Sequence, residues 1–298
     1  MNSKFLKLIN YLSEYDFNMK DNYEIYRALQ EKKPLSKKSQ KIIEDNITFY
    51  LFSPKKYKTN KTIIYLHGGG WTIGSVKYYS FTLDTLANEL KRNIITFDYP
   101  LAPEHPYPEG IKYCYKAIKA IFKKAKEYQI DTKDIMIMGD SAGANLATSI
   151  CIKAKETKDF KIKKEILLYP IVQTNFKNNK KFKSIEENGY DYFLTKKMIK
   201  DYLELYLVKK ENYKSIYASP LNAKWLFNMP ETLIITADLD PLRDEGYAYA
   251  KKLRRYFNQV TYYNMKNVIH GFFNNPFYFK ENHHVIKIIK KFVGDKIE

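Results

Sequence analysis

Short apolar runs alternate with longer amphipathic stretches through the middle and end of the chain. Asn46–Phe52 reads as a strand, as do the apolar runs Thr62–Leu66, Asn93–Tyr99, Ile135–Met138, Glu165–Tyr169, Thr232–Thr236 and Val260–Asn264. Between them, stretches near Phe81–Leu90, Ile111–Tyr128, Asn145–Lys155, Gly246–Phe257 and His283–Phe292 read as amphipathic helices. This alternation argues an α/β fold, a mostly parallel central sheet with helices on both faces. In such sheets ligands sit beyond the carboxyl ends of the strands.

Two segments interrupt the alternation. Residues 1–43 read as helical, punctuated at Lys33-Pro34. Residues 173–218 hold a polar stretch rich in lysine and asparagine, then a helix-like Thr195–Tyr206, and no convincing strand. An insertion of that length inside a compact domain usually has a function. The expected organisation is a catalytic domain built from 44–172 and 219–298, covered by a helical cap from 1–43 and 173–218. Tyr190, Tyr192, Phe193, Tyr202 and Tyr206 in the cap are candidates either to line a pocket or to pack cap against core. No internal repeat or low-complexity tail is evident.

At 298 residues with 45% apolar content, the chain is ample for a well-filled core, and its mean hydropathy is that of a water-soluble protein. No apolar run approaches the roughly 20 residues that span a bilayer. The first ten residues are too broken by polar side chains for a signal-peptide core, so the expected location is the cytoplasm, without stable membrane insertion. Cys114 and Cys151 do not make a disulfide framework and read as buried thiols. The net charge of +18 raises the question of nucleic acid. The excess is almost all lysine, scattered along the chain with no binding motif, so no nucleic-acid partner is expected.

The chemistry lies in three places. Gly139-Asp140-Ser141-Ala142-Gly143 is a G-x-S-x-G pentapeptide between an expected strand and an expected helix, a pattern that holds a serine at a sharp turn with its hydroxyl exposed. A serine hydroxyl is a weak nucleophile until a histidine takes its proton and a carboxylate orients that histidine. Of the five histidines, His67 and His105 precede the serine, while His283 and His284 lie on the last expected helix. His270, beside Gly271 after the last strand, is the candidate base. Asp238, Asp240 and Asp244 all follow Thr232–Thr236. The Asp240-Pro241 step favours a loop over the strand end, which makes Asp240 the candidate acid and Asp238 its competitor; Asp244 fits the first turn of the next helix. His67-Gly68-Gly69-Gly70-Trp71 is a glycine loop able to join the Ala142 N–H in stabilising an oxyanion. It does not fit nucleotide binding. Ile73 occupies the third glycine position of a dinucleotide fingerprint, and the phosphate-loop lysine is missing.

Taken with Asp98-Tyr99, Leu101 to Pro108, Asn145, Asp240 to Gly246 and His270-Gly271-Phe272, these motifs resemble the hormone-sensitive-lipase-like family of α/β-hydrolases, which includes bacterial carboxylesterases and acetyl esterases. The resemblance covers about residues 45 to 275. It implies Ser141 as nucleophile, Asp240 as acid and His270 as base, with the N–H groups of Gly69, Gly70 and Ala142 as the oxyanion hole. It also implies a cap and a structural role for His67. Two positions depart from the family pattern: Ala144 where a third glycine is common, and Pro100 where a basic residue is common.

The reading is a serine carboxylesterase acting on small esters of short acyl chains, with no metal or cofactor. An amidase or deacetylase using the same triad is the alternative. A non-catalytic receptor on this fold predicts a lost base or nucleophile, and both are present. A basic scaffold predicts salt-sensitive association that survives loss of Ser141.

Overall fold

The computed structural model describes residues 18–174 and 181–294. Eight strands form one sheet: β1 (Gln40–Glu44), β2 (Ile47–Phe52), β3 (Thr62–Leu66), β4 (Asn93–Thr96), β5 (Met136–Asp140), β6 (Lys164–Leu168), β7 (Glu231–Leu239) and β8 (Val260–Ile269). Their order is β1-β2-β4-β3-β5-β6-β7-β8. β2 runs antiparallel to β1 and β4; every other pairing is parallel. The expected α/β class therefore holds.

Each central strand alternates its side chains between two apolar layers. Ile64, Leu66, Ile137, Leu167 and Ile234 point into one; Ile63, Tyr65, Met138, Ile166 and Ile235 point into the other. Both faces are covered, which is why β3 and β5 are wholly buried and carry the apolar runs Ile63–Leu66 and Met136–Met138. Helices α3 (Glu109–Lys124), α4 (Ala142–Thr157) and α7 (Arg243–Arg255) pack on the first face. Helices α2 (Val76–Leu90) and α8 (Phe279–Val293) pack on the second. Each large apolar side chain so buried contributes about 1.5–3 kcal/mol.

Most sequence-derived strands keep their place, with shifted ends. The Asn93–Tyr99 run is a strand only to Thr96, and the last strand extends to Ile269. One strand went unread. β1 lies at the sheet edge with most of its side chains exposed or half-buried, so it lacks a half-buried alternation. It joins β2 through Asp45 and Asn46, both at positive φ (49° and 61°), the backbone of a tight hairpin turn.

Outside the sheet layers, α1 (Met19–Glu31) packs on α6 (Lys196–Tyr206), and the short α5 (Ser184–Asn188) precedes α6 in the inserted segment. Asn18 caps α1 and Thr195 caps α6, each side chain accepting a backbone N–H of the first turn. Asp201 accepts the Met19 N–H (3.1 Å), and Lys20 pairs with Glu204. Arg27 ties α1 to the sheet domain by donating to the Thr72 and Ala102 carbonyls (2.7 Å each) and pairing with Glu104 (2.8 Å). The helical reading of residues 1–17 and part of the lysine- and asparagine-rich stretch lie outside the described residues.

Candidate active site

Ser141, Asp240 and His270 each occupy the first position after a strand: β5 ends at Asp140, β7 at Leu239 and β8 at Ile269. The carboxyl ends of β5, β7 and β8, with β6 between the first two, thus deliver three side chains to one edge of the sheet. The β7–β8 ladder is irregular between Ala237 and Leu239: Ala237 faces Met265, but Leu239 faces Ile269. Such an irregularity re-aims the strand end, and here it brings His270 beside Asp240.

Ser141 is the turn between β5 and α4, at φ 53° and ψ −119°. A non-glycine residue held there is strained. The surroundings that enforce it are tight. The Ser141 N–H donates to the Leu168 carbonyl (2.9 Å), and its carbonyl accepts the Asn145 N–H (3.1 Å). Gly143 lies so close to β3 that a Cβ would strike the Leu66 carbonyl oxygen. This is the physical reason for the second glycine of the pentapeptide.

The Ser141 hydroxyl lies 2.8 Å from His270 Nε2, and His270 Nδ1 lies 2.8 Å from Asp240 Oδ2. An ionised carboxylate only accepts, so Nδ1 carries the proton and Nε2 is free to accept from the serine. Asp240 is fully buried, and its other oxygen accepts the Leu242 N–H (2.8 Å). Asp238 is engaged elsewhere, accepting from Asn264 (2.9 Å) and Lys266 (3.2 Å). Asp244 accepts the Ser184 N–H from the first turn of α7. His105 pairs with Glu109 on the surface, and His283 and His284 are exposed on α8.

The glycine loop follows β3, with Gly69 and Gly70 at φ 114° and 60°. Ala142 is the first residue of α4, where a helical N–H has no intrahelical acceptor. The loop is braced by His67, which stacks on Tyr99 at 4.3 Å and whose Nδ1 meets the Gly68 carbonyl (2.8 Å). Burial lowers the proton affinity of His67, keeping it neutral.

Two buried carboxyls carry roles that sequence reasoning did not assign. Asp140 accepts from the Gly68 N–H (2.9 Å), the Tyr65 hydroxyl (2.9 Å) and the Tyr79 hydroxyl (2.8 Å), locking the glycine loop to the serine turn. Burial raises its pKa, against the pull of those donors. Glu245 accepts the Val172 and Gln173 N–H groups and fixes α7 to the strand end after β6; burial raises it well above the carboxylate range.

Above the site, the Tyr202 ring of α6 lies directly on Gly70, and Phe193 touches the space over Gly271. Tyr206 stacks flat on Trp71 at 4.3 Å, a packing role. Tyr190 is exposed and bonds to Glu186. Among the described residues, no group of three or more His, Cys, Asp or Glu side chains is placed to hold a metal ion.

The fold is shared with known proteins. Residues 63–274 match a family described by the alpha/beta hydrolase fold. An arylesterase of Saccharolobus solfataricus is 30% identical over 237 residues, 79% of this chain and 76% of that one. An arylacetamide deacetylase of Mus musculus is 25% identical over 325 residues, 86% and 80% of the two chains. The solved structure of a hyperthermophilic esterase from Pyrobaculum calidifontis superposes with a TM-score of 0.86 at 27% identity, over 98% of this chain and 97% of that one. The chain belongs to the hormone-sensitive-lipase-like family of α/β-hydrolases and is a serine hydrolase of the carboxylic-ester class.

Proposed function

We propose that the protein is a carboxylesterase for small esters of short acyl chains, with Ser141 as nucleophile, His270 as base and Asp240 as acid. The observation that carries the reading is the unbroken hydrogen-bonded chain from the Ser141 hydroxyl through His270 to Asp240. His270 Nε2 takes the serine proton as Oγ attacks the ester carbonyl. The resulting oxyanion accepts from the N–H groups of Gly69, Gly70 and Ala142. Collapse breaks the bond to the alcohol, which leaves with the proton held by His270. Water, deprotonated by the same imidazole, then releases the acid from Ser141 and restores the enzyme.

Of the expected cap segments 1–43 and 173–218, the described helices α1, α5 and α6 form the cap, whereas Gln40 to Ile43 belong to strand β1 of the sheet and not to the cap. The short-chain preference is supported by Tyr202, which crowds the glycine loop, and by the rigid Trp71–Tyr206 stack beside it. The enzyme works in the cytoplasm, a reading that rests on the sequence. The test is hydrolysis of p-nitrophenyl acetate, butyrate, octanoate and palmitate by the protein and by Ser141→Ala. Activity highest on the two short esters and absent in the variant supports the reading. Faster turnover of anilides than of matching esters replaces it with the amidase alternative.

A further inference from the structure

At the end of the sheet opposite the active site, two turns lie side by side. One enters β7; the other joins α7 to β8. Asn258 laces them together, donating to the Leu226 carbonyl (2.6 Å) and accepting the Met229 N–H (2.8 Å). The Tyr256 hydroxyl also donates to the Lys224 carbonyl. The turns hold Trp225, Phe227 and Phe257 in solvent, 68%, 43% and 88% exposed. The rings form one group: Trp225 and Phe227 stack with centroids 6.4 Å apart, and Phe227 and Phe257 at 6.5 Å. Turn tips ordinarily carry small polar residues. A preformed cluster of large exposed rings is an interaction site in want of a partner.

The charge around it is mostly positive; the flanking Glu231 is paired with Lys164 (3.0 Å), and Glu156 accepts from the Tyr217 hydroxyl. Residues 220–230 and 246–259 include Lys224, Lys251, Lys252, Arg254 and Arg255 and no acidic side chain. From the end of α4, Lys155 reaches in to the Trp225 carbonyl (3.2 Å). Cations suit a helix C-terminus, which accounts for Arg254 and Arg255 but not for the rings beside them. The occupant is therefore anionic and offers an apolar layer. A second copy of this patch brings like charges together. Single-stranded nucleic acid is bound in grooves that track its backbone, whereas these rings stand on the tips of two turns. An anionic bilayer surface matches both features: aromatic rings settle at the headgroup boundary, and lysine and arginine meet the lipid phosphates.

We propose that this face docks the protein peripherally on anionic lipid membranes, with Trp225, Phe227 and Phe257 seated among the headgroups and Lys224, Arg254 and Arg255 on the phosphates. The nine residues of β7 separate the patch from Asp240 by about 30 Å, so the docked enzyme keeps its active site turned to water.

The test uses the full chain with vesicles of phosphatidylglycerol and phosphatidylcholine, or of phosphatidylcholine alone, in cosedimentation at low salt. Trp225 reports the contact by a blue shift, because the other tryptophan, Trp71, is buried. The expected result is binding to the anionic vesicles at least about tenfold stronger than to the neutral ones, reversed by salt. Phe257→Ala and the double variant Lys224→Glu/Arg255→Glu each weaken it by about tenfold or more while ester hydrolysis is unchanged. Trp225→Phe still binds but loses the shift. No binding to anionic vesicles overturns the proposal, as does binding that ignores these variants. Patch-dependent dimerisation without lipid, or tighter binding of a single-stranded oligonucleotide, assigns the face to that partner instead.

Discussion

Ser141 sits in a backbone conformation that few residues tolerate, and its chemistry depends on that placement. The hydroxyl is presented to His270 only because β5 stops at Asp140 and α4 starts at Ala142. Ser141→Ala is expected to lower kcat by about ten-thousand-fold or more while leaving the circular-dichroism spectrum and Tm unchanged. Asp240→Asn loses the acceptor that fixes the His270 tautomer and is expected to cost about ten-thousand-fold in kcat. Asp238→Asn, whose carboxylate meets Asn264 and Lys266 instead, is expected to stay within about threefold of the parent. Steady-state kinetics on one short ester compares all three. These placements were legible in the sequence because Ser141 is centred in the G-x-S-x-G pentapeptide, while Asp240 precedes Pro241 and His270 precedes Gly271, each shortly after an apolar run. Asp140 as a brace was not legible. It works through Tyr65 and Tyr79, which share no spacing or pattern with the pentapeptide.

At the scale of elements, close approach governs the core and side-chain ties govern the helical layer. Gly143→Ala puts a methyl against the Leu66 carbonyl. The expected outcome is loss of soluble, cooperatively unfolding protein, read by thermal denaturation. Arg27 is the main tie between α1 and the glycine-loop region, reaching two backbone carbonyls and Glu104. Arg27→Ala is expected to lower Tm by about 2 °C and to raise KM more than it lowers kcat. The alternation of strands and helices was readable because parallel strands buried on both faces are written as unbroken apolar runs. β1 escaped because Gln40, Lys41 and Glu44 interrupt it at the sheet edge; the Asp45-Asn46 pair was the available turn signal. The long reach of β8 to Ile269 was hidden for a similar reason, since Lys266 and Asn267 are exposed and break the apolar pattern.

For the whole molecule, a buried acid couples stability to pH. Glu165 lies at the start of β6, accepts from the Thr232 hydroxyl (2.9 Å), and is pushed up to about 7 by burial. Its folded value exceeds its unfolded value, near 4.5, so the folded state holds the proton more tightly. The contribution is fully present below pH 4.5 and is lost as pH rises to about 7. Glu165→Gln removes this dependence. Thermal melts of both proteins should converge at low pH and separate above pH 7 in favour of the variant, by at most about 3 kcal/mol. An equal difference at all pH values contradicts the assignment. The docking face belongs to this scale as well, because it sets how the active site is oriented when the protein meets a membrane.

Acyl transfer through Ser141 passes through a covalent intermediate, and covalent trapping shows where it forms. The protein is treated with a p-nitrophenyl alkylphosphonate, whose phosphorus stands in for the tetrahedral carbon, and then digested and mapped by mass spectrometry. One adduct per chain is expected, on the peptide containing Ser141, in step with loss of esterase activity, and no adduct in Ser141→Ala. Esterase activity that survives without an adduct, or an adduct on another residue that tracks the inactivation, contradicts acyl transfer through Ser141.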